Sequence, residues 1–402
     1  MVRLQRDFRP IESDLGKVAA KVGALIGESA SHRDLERVIP TVEAGLVRQH
    51  GLQAVRVPRD YGGPEICFAE FAEIMFQLAA GDPNLAQSLQ PHFVLLEWIR
   101  DQGTPQQREV IYKRVLAGDI ITNAIAERGT KTPGDFSATL TAEGNGYRIS
   151  CTKFYCTGSL VADGLYILAN TEDGGMALAV TSKDRDGIEI VDDWDGMGQR
   201  TTGSGTIRFN NARFEAEDVI KLKNWGQERS YIGAASQLAH AAIDAGIAEA
   251  ALRDAIEYAR TKARPVYESG VARATDDPYV QHSVGEMSVM VNSARAMLTR
   301  SANILDCVIA KSDSGREERD QGYIEASIAV AEAKAASNEA SLRVTEMLYR
   351  VAGASATLRK YNFDRHWRNA RTHTTHDPVA YKYRAIGDFL LNQKAPPIST
   401  KI

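Results

Sequence analysis

The spacing of apolar residues predicts an α+β chain in which helices come first, a sheet follows and helices return. Three observations carry that expectation. In the stretch Ile121–Phe209, apolar and polar residues alternate with a period of two through Ser137–Ala142, the spacing of half-buried strands, and Gly/Asn turn residues follow. On either side of that stretch the apolar residues recur at helical spacing. After Gln227 the helical runs fall into four segments joined by loops, the pattern of an antiparallel bundle. The expected division is an N-terminal helical domain over 1–120, a central β-barrel or sandwich over 121–224 and a C-terminal four-helix bundle over 225–402.

Taken in order, Ile11 to Gly51 predicts two amphipathic helices, with Ser29 or Ser31 as N-cap and Gly51 as terminator. Pro58, Gly62, Gly63 and Pro64 force an irregular turn before a helix over Phe68 to Ala80. Gly81-Asp-Pro-Asn ends it, and a further helix over Leu85 to Asp101 carries His92 directly after Pro91. A histidine on so apolar a helix has two readings, a satisfied core side chain or a catalytic one. In the central region Ser137 to Ala142 alternates, Gly144-Asn145-Gly146 supplies a primed turn, and Tyr147 to Lys153 is the return strand. Further strands are expected at Gly164–Thr171, Met176–Ser182 and Gly203–Phe209, followed by a polar exit from Asn211.

The bundle helices are expected over Gly233–Lys262, Asp277–Lys311, Tyr323–Tyr349 and Ala380–Asn392. The first is rich in alanine, and Ala245 and Gly246 allow a partner backbone to approach. The charged loop from Ser312 is expected to lie exposed at one end of the bundle. Two connections stand out. Arg264, before Pro265, either compensates a helix C-terminus or clamps a phosphate through its forked donors. Asp364 to Pro378 is expected to be a polar loop lining a site; its His373 and His376 have a spacing that suits one helical turn, but no third metal ligand stands at a recognisable distance.

Composition narrows the class. The 402 residues carry 48 basic and 52 acidic side chains, scattered along the chain, which gives nucleic-acid binding no support. Four cysteines without paired spacing predict buried thiols in a reducing cytoplasmic setting. The start Met1-Val-Arg-Leu-Gln-Arg has no apolar signal region, and no run is long enough to span a membrane.

Several motifs together carry a resemblance. Lys153-Phe-Tyr-Cys-Thr157-Gly158, Gly196-Met-Gly-Gln-Arg200-Thr-Thr-Gly-Ser-Gly205 and Pro58-Arg-Asp-Tyr-Gly-Gly63 resemble segments of the acyl-CoA dehydrogenase superfamily. Ala263-Arg-Pro265 and Phe363-Asp-Arg-His-Trp-Arg-Asn-Ala-Arg-Thr-His373, ending in His376-Asp-Pro-Val-Ala-Tyr-Lys382, resemble its flavin-dependent monooxygenase branch, the dibenzothiophene and alkanesulfinate monooxygenases. That resemblance implies an acyl-CoA dehydrogenase-like fold and FMN, rather than FAD, used as FMNH2 from a separate flavin reductase. It further implies O2 and a small organosulfur substrate as reactants, a flavin C4a-hydroperoxide as oxygenating species, and a homotetramer. His92, Thr157 and His376 are the catalytic residues it implies. Asn123, Thr157, Trp194, Arg264, His373 and Asp377 are its implied cofactor contacts, with Arg264 reaching a flavin held by the neighbouring subunit. The alternative within the superfamily is an FAD-dependent acyl-CoA dehydrogenase. There a glutamate removes the substrate proton, whereas this chain offers the shorter Asp377, and Tyr231 to Ala245 on the first bundle helix contains no glutamate.

Overall fold

A computed structural model describes residues 14–132, 134–311 and 315–402. Its N-terminal side holds α1 (Asp14–Gly27), α2 (Ala30–Glu36), α3 (Thr41–Gln49), α4 (Phe68–Gly81), α5 (Pro83–Gln102) and α6 (Pro105–Leu116). Three short helices replace the two expected before Gly51, because Arg37 turns left-handed at the end of α2 and Pro40 precedes α3. Ser29 stands at the N-cap of α2, but its hydroxyl serves Arg33 and Glu43 instead of the helix end. Residues 11–13 lie outside the described residues. Helix α6 escaped the pattern reading although it carries a start signal, Pro105 behind a capping box of Thr104 and Gln107.

The central strands are β1 (Ile121–Ala124), β2 (Thr139–Glu143), β3 (Gly146–Lys153), β4 (Gly164–Thr171), β5 (Met176–Ser182), β6 (Ile188–Val191), β7 (Thr206–Glu215) and β8 (Val219–Leu222). They form one mixed sheet in the order β6-β7-β3-β2-β4-β5-β8, with β1 parallel to β4. The hairpin at Gly144 is present, and Glu143 pairs with Gly146. Strand β2 runs antiparallel to β3 at one end and parallel to β4 at the other, so it joins two halves of the sheet. Those halves share an apolar cluster including Leu140, Ile149, Leu165, Ile167, Phe209 and Phe214. Strand β7 continues to Glu215, beyond the expected polar exit; the register slips between Ile149 and Cys151, and Asn211 takes a positive φ there.

On the C-terminal side lie α7 (Ile232–Thr261), α8 (Pro278–Ile309), α9 (Arg316–Ala352), α10 (Asp364–Thr374) and α11 (Val379–Asn392). The expected loop over Asp364–Pro378 is thus mostly helix. Its polar sequence conceals a buried face of His366, Asn369, Ala370 and His373, and Asp364 pairs with Arg368 one turn on. A continuous apolar core runs from α1 through α5 into α7, α8 and α9. Helix α4 has no cap of its own; its Phe68 and Ala69 N–H groups donate to Asp306 of α8. No helix among the described residues is long and apolar enough to cross a membrane.

Helix α7 meets α4 at Gly246, where an added Cβ would lie 2.6 Å from the Ala79 Cβ and 2.7 Å from the Phe76 carbonyl oxygen. Overpacking against backbone leaves little room to relax. Gly246→Ala is therefore expected to destabilise the fold by about 1–3 kcal/mol, despite the better helix propensity of alanine. An unchanged urea midpoint would show that the two helices can part at no cost.

Candidate functional site

Helix α5 connects the sheet to the bundle. Asp82 caps it by accepting from the Asn84 N–H, and Asn84, Gln87 and Ser88 follow within its first two turns. Asn84 Oδ1 accepts from the Thr201 N–H at 3.2 Å, and Ser88 lies against the 157–158 and 202 backbone. Gly158 is required there: its φ is +87° and a Cβ would sit 2.5 Å from the Ser88 carbonyl oxygen. Beside it Thr157, Ser204 and Thr202 form a chain of hydroxyls, 2.9 and 2.7 Å apart. The Thr157 carbonyl accepts from the Thr122 hydroxyl of β1, which fixes the turn against the strand bearing Asn123.

Polar atoms around this turn are buried without protein partners: Asn123 Oδ1, both amide atoms of Gln199, and the hydroxyls of Thr201 and Thr372. Buried polar groups normally find partners, so these orphans are the atoms that a polar ligand could complete. Trp194 flanks the turn. Its indole N–H donates to the Gln199 carbonyl at 2.8 Å, and its ring meets Tyr155 edge-on. The 196–205 segment is pressed onto α10: the Gln199 N–H donates to Asn369 Oδ1 at 2.7 Å, and a Cβ on Gly198 would overlap the Arg368 carbonyl.

On the bundle side two rows of lysine, aspartate and histidine converge. Lys334 of α9 reaches Asp244 of α7 at 2.6 Å, and the other oxygen of Asp244 meets His373 Nδ1 at 2.5 Å. In the second row Lys382 of α11 reaches Asp377 at 2.8 Å, and Asp377 holds His376 Nδ1. Between them stands His240 of α7, its Nδ1 3.1 Å from His373 Nε2 and its ring centroid 4.4 Å from that of His376. Gln87 of α5 completes the group, with Oε1 3.0 Å from His373 Nε2. Desolvation opposes charge on both carboxylates, but Lys334 and His373 beside Asp244, and His376 with the two lysines beside Asp377, hold both below the usual carboxylate range. Burial, then the neighbouring histidines and Lys334, push His240 well below its ordinary value.

The expected site residues are therefore only partly brought together. Asn123, Thr157 and Trp194 surround the turn, and His376 keeps its side chain 43% exposed with Nδ1 held. His373 and Asp377 are buried; both nitrogens of His373 are engaged by protein, while Asp377 bonds His376 through Oδ1 and, among the described residues, its Oδ2 has only the ion pair with Lys382. His92 needs correction. It is fully buried, Nδ1 accepts from the Ile121 N–H at 3.1 Å and Nε2 donates to the Gln53 carbonyl at 2.9 Å, so neither nitrogen is left for chemistry. Helix α5 runs through Pro91. Arg264 lies exposed beyond the end of α7 and forms no ion pair among the described residues. The pattern reading missed His240, Lys334, Lys382 and Gln87. One signal existed: His240 and Asp244 are four apart, a polar pair on one face of an alanine-rich helix.

Comparison with known proteins settles the kinship. The acyl-CoA dehydrogenase N-terminal domain model matches residues 22–119, and the C-terminal domain model matches 238–380. Dibenzothiophene monooxygenase of Rhodococcus qingshengii is 33% identical over 382 residues, covering 92% of this chain and 91% of the relative. The chain belongs to the dibenzothiophene monooxygenase family. Another relative is a probable FMNH2-dependent monooxygenase of Pseudomonas putida, 29% identical over 94% of this chain and 95% of its own. Among solved structures, an FMN-bound dibenzothiophene monooxygenase from Paenibacillus sp. A11-2 superposes with a TM-score of 0.88 at 27% identity, covering 97% of this chain and all of its own. The buried orphans of Asn123, Gln199 and Thr201 fit the family's cofactor: a flavin ring edge offers both donors and acceptors to amides and hydroxyls.

His92 yields a pH-dependent prediction. Burial holds it near 4, against 6.5 for the free side chain, so between these values the unfolded chain binds more protons. Its stabilisation is complete above pH 6.5 and is lost as pH falls toward 4, by about 3 kcal/mol over the window. His92→Gln should be less stable at pH 7 yet lose less on acidification, as read from urea midpoints at pH 7 and 4.5. Parallel losses in the two proteins would contradict this placement.

Proposed function

We propose that the protein is the oxygenase component of a two-component FMNH2-dependent monooxygenase, adding one oxygen atom to sulfur in a small organosulfur compound. The observation that carries this reading is the state of the carboxylates. Asp377, the residue a dehydrogenase would use as base, is buried between His376 and Lys382 and held below its ordinary range, so it is a poor proton acceptor. Asp244 is likewise closed by Lys334 and His373. The other polar groups of the two clusters include imidazoles and hydroxyls, groups suited to holding and moving protons rather than abstracting one from carbon.

Reduced flavin, when bound, supplies the electrons that activate O2, and a separate reductase supplies the reduced flavin. Asn123, Gln199 and Thr201 would hold the ring edge, Thr157 would present its hydroxyl beside it, and Trp194 would pack its flank. His376, its Nδ1 fixed by Asp377, keeps Nε2 for a hydrogen bond to the reacting oxygen and for proton transfer there. His376→Ala should fold and bind FMNH2 but lose about 10²- to 10⁴-fold in coupled turnover, with hydrogen peroxide replacing product. Oxidation of an acyl-CoA with an artificial acceptor, abolished by Asp377→Asn, would instead establish the dehydrogenase.

The surface favours a homo-oligomer, with a tetramer as the proposed state. Val266 and Tyr267, after Arg264, are 61% and 95% exposed, and Leu390 and Leu391 of α11 are 64% and 83% exposed. A second copy covering these residues would bring Arg264 to a neighbour's flavin phosphate. Arg264→Ala should then weaken anaerobic FMNH2 binding, with Arg264→Lys restoring it in part because lysine lacks the forked donor pair. Equal affinity for all three, or a fully active monomer by light scattering, would remove this role.

A further inference from the structure

The geometry around His240 carries a step beyond the residues already assigned. Asp244 has no exposed surface; Lys334 occupies one oxygen and His373 Nδ1 the other, so His373 must carry its proton on Nδ1. A neutral His373 then has only a lone pair at Nε2. That nitrogen lies 3.1 Å from His240 Nδ1, and two lone pairs cannot face one another at this distance. His240 must therefore donate through Nδ1–H, which leaves the lone pair on its Nε2, an atom with no protein partner among the described residues. Gln87 serves either charge state: turned one way its amide NH2 donates to His373 Nε2, turned the other its oxygen accepts from a protonated His373.

We propose that His240 is the junction of a proton relay, in which a proton taken up at its Nε2 is passed from its Nδ1 to His373 Nε2 and held there against Asp244. An N–H bond forms at His240 Nε2, the Nδ1–H bond breaks as one forms at His373 Nε2, and no electrons change hands. Run backward, the relay delivers a proton at His240 Nε2, and reduction of one O2 oxygen to water consumes protons. The neighbouring row of Lys382, Asp377 and His376 reaches His240 through the ring contact of His376, so the two rows meet at His240. Burial keeps His240 and His373 below their ordinary values, so both are neutral at rest and a held proton is readily returned. His240 is thus a positioning and relay residue, and its role in turnover rests on the oxygenase reading above.

Solid-state ¹⁵N NMR of the flavin-free protein labelled at its 8 histidines tests the relay without any activity. His240, assigned by its loss in His240→Gln, should be neutral with the proton on Nδ1, as should His373; a proton on Nε2 of neutral His240 overturns the relay. With flavin reductase, FMNH2 and a substrate present, His240→Gln should lower coupled turnover by about a hundredfold. FMNH2 affinity should stay within twofold. The groups facing His240 are His373, His376, Gln87 and, behind them, Asp244, Lys334, Asp377 and Lys382. With that set retained and the relay cut, peroxide leakage in the variant should fall as pH drops from 8.5 to 6.5, because solvent protons substitute. Unchanged coupling, or leakage indifferent to pH, overturns the proposal. Nδ1 protons on both rings in a protein that oxygenates no sulfur compound would support the arrangement while refuting the oxygenase reading.

Discussion

A carboxylate with no solvent around it is stable only when cations and donors take its lone pairs, and Asp244 imposes that condition at the middle of α7. Lys334 meets it from α9 and His373 from α10. Removing Lys334 would leave an uncompensated buried charge, a loss of about 3–5 kcal/mol for such pairs. The three helices are therefore fixed relative to one another by one ionic contact as well as by apolar packing. Its consequence for the site is positional. His376 and Asp377 follow α10 within a few residues, so holding His373 also sets where the next imidazole stands.

The same arrangement decides which chemistry this scaffold supports. A superfamily enzyme that removes a proton from carbon needs an ionised carboxylate with a free lone pair facing substrate. Asp244 is hydrogen-bonded through both oxygens, to Lys334 and His373, whereas Asp377 is hydrogen-bonded to His376 through Oδ1 and its Oδ2 is ion-paired with Lys382, 2.8 Å away. Each carboxylate instead fixes a histidine tautomer, turning its imidazole into an oriented donor or acceptor for the group beyond it. Lysine, aspartate and histidine thus occur twice, in the first row from three helices and in the second from α11 and the turn before it, and share no residue. That symmetry of parts places His240 between two imidazoles and gives it a function that its own sequence neighbourhood does not suggest.

What the sequence made legible follows from how local each signal is. Strand β2 shows in alternation, β4 and β5 show as short apolar runs between turn residues, and the hairpin at Gly144 shows in its turn residues, because these signals are contained in a few neighbours. Helix α10 was hidden: its buried face is made of His366, Asn369 and His373, polar residues that periodicity counts as solvent-facing. His92 was misplaced for a similar reason. What satisfies it is the backbone of Gln53 and Ile121, 39 and 29 residues away, and no pattern along α5 records those partners. Asn123, Thr157 and Trp194 were named through motif resemblance alone; the structure adds an unpartnered buried oxygen on Asn123 and others on Gln199 and Thr201 near the same turn.

The second row depends on a less secure element than the first. Helix α11 fully buries only Lys382 and Ala385, yet Lys382 is the cation that closes Asp377 and so fixes His376. The chain end helps, since the Lys382 ammonium also donates to the Lys401 carbonyl and the Gln237 amide donates to that of Thr400. The outward face of α11 meanwhile leaves Tyr381, Tyr383, Leu390 and Leu391 uncovered. In the proposed oligomer a neighbouring copy would bury these side chains, and the apolar area removed from water would hold α11 against α9 more firmly than its two buried residues do alone. Assembly would then act on the reaction through Lys382, by keeping Asp377 ionised and His376 oriented, in addition to any contact that Arg264 makes across the interface.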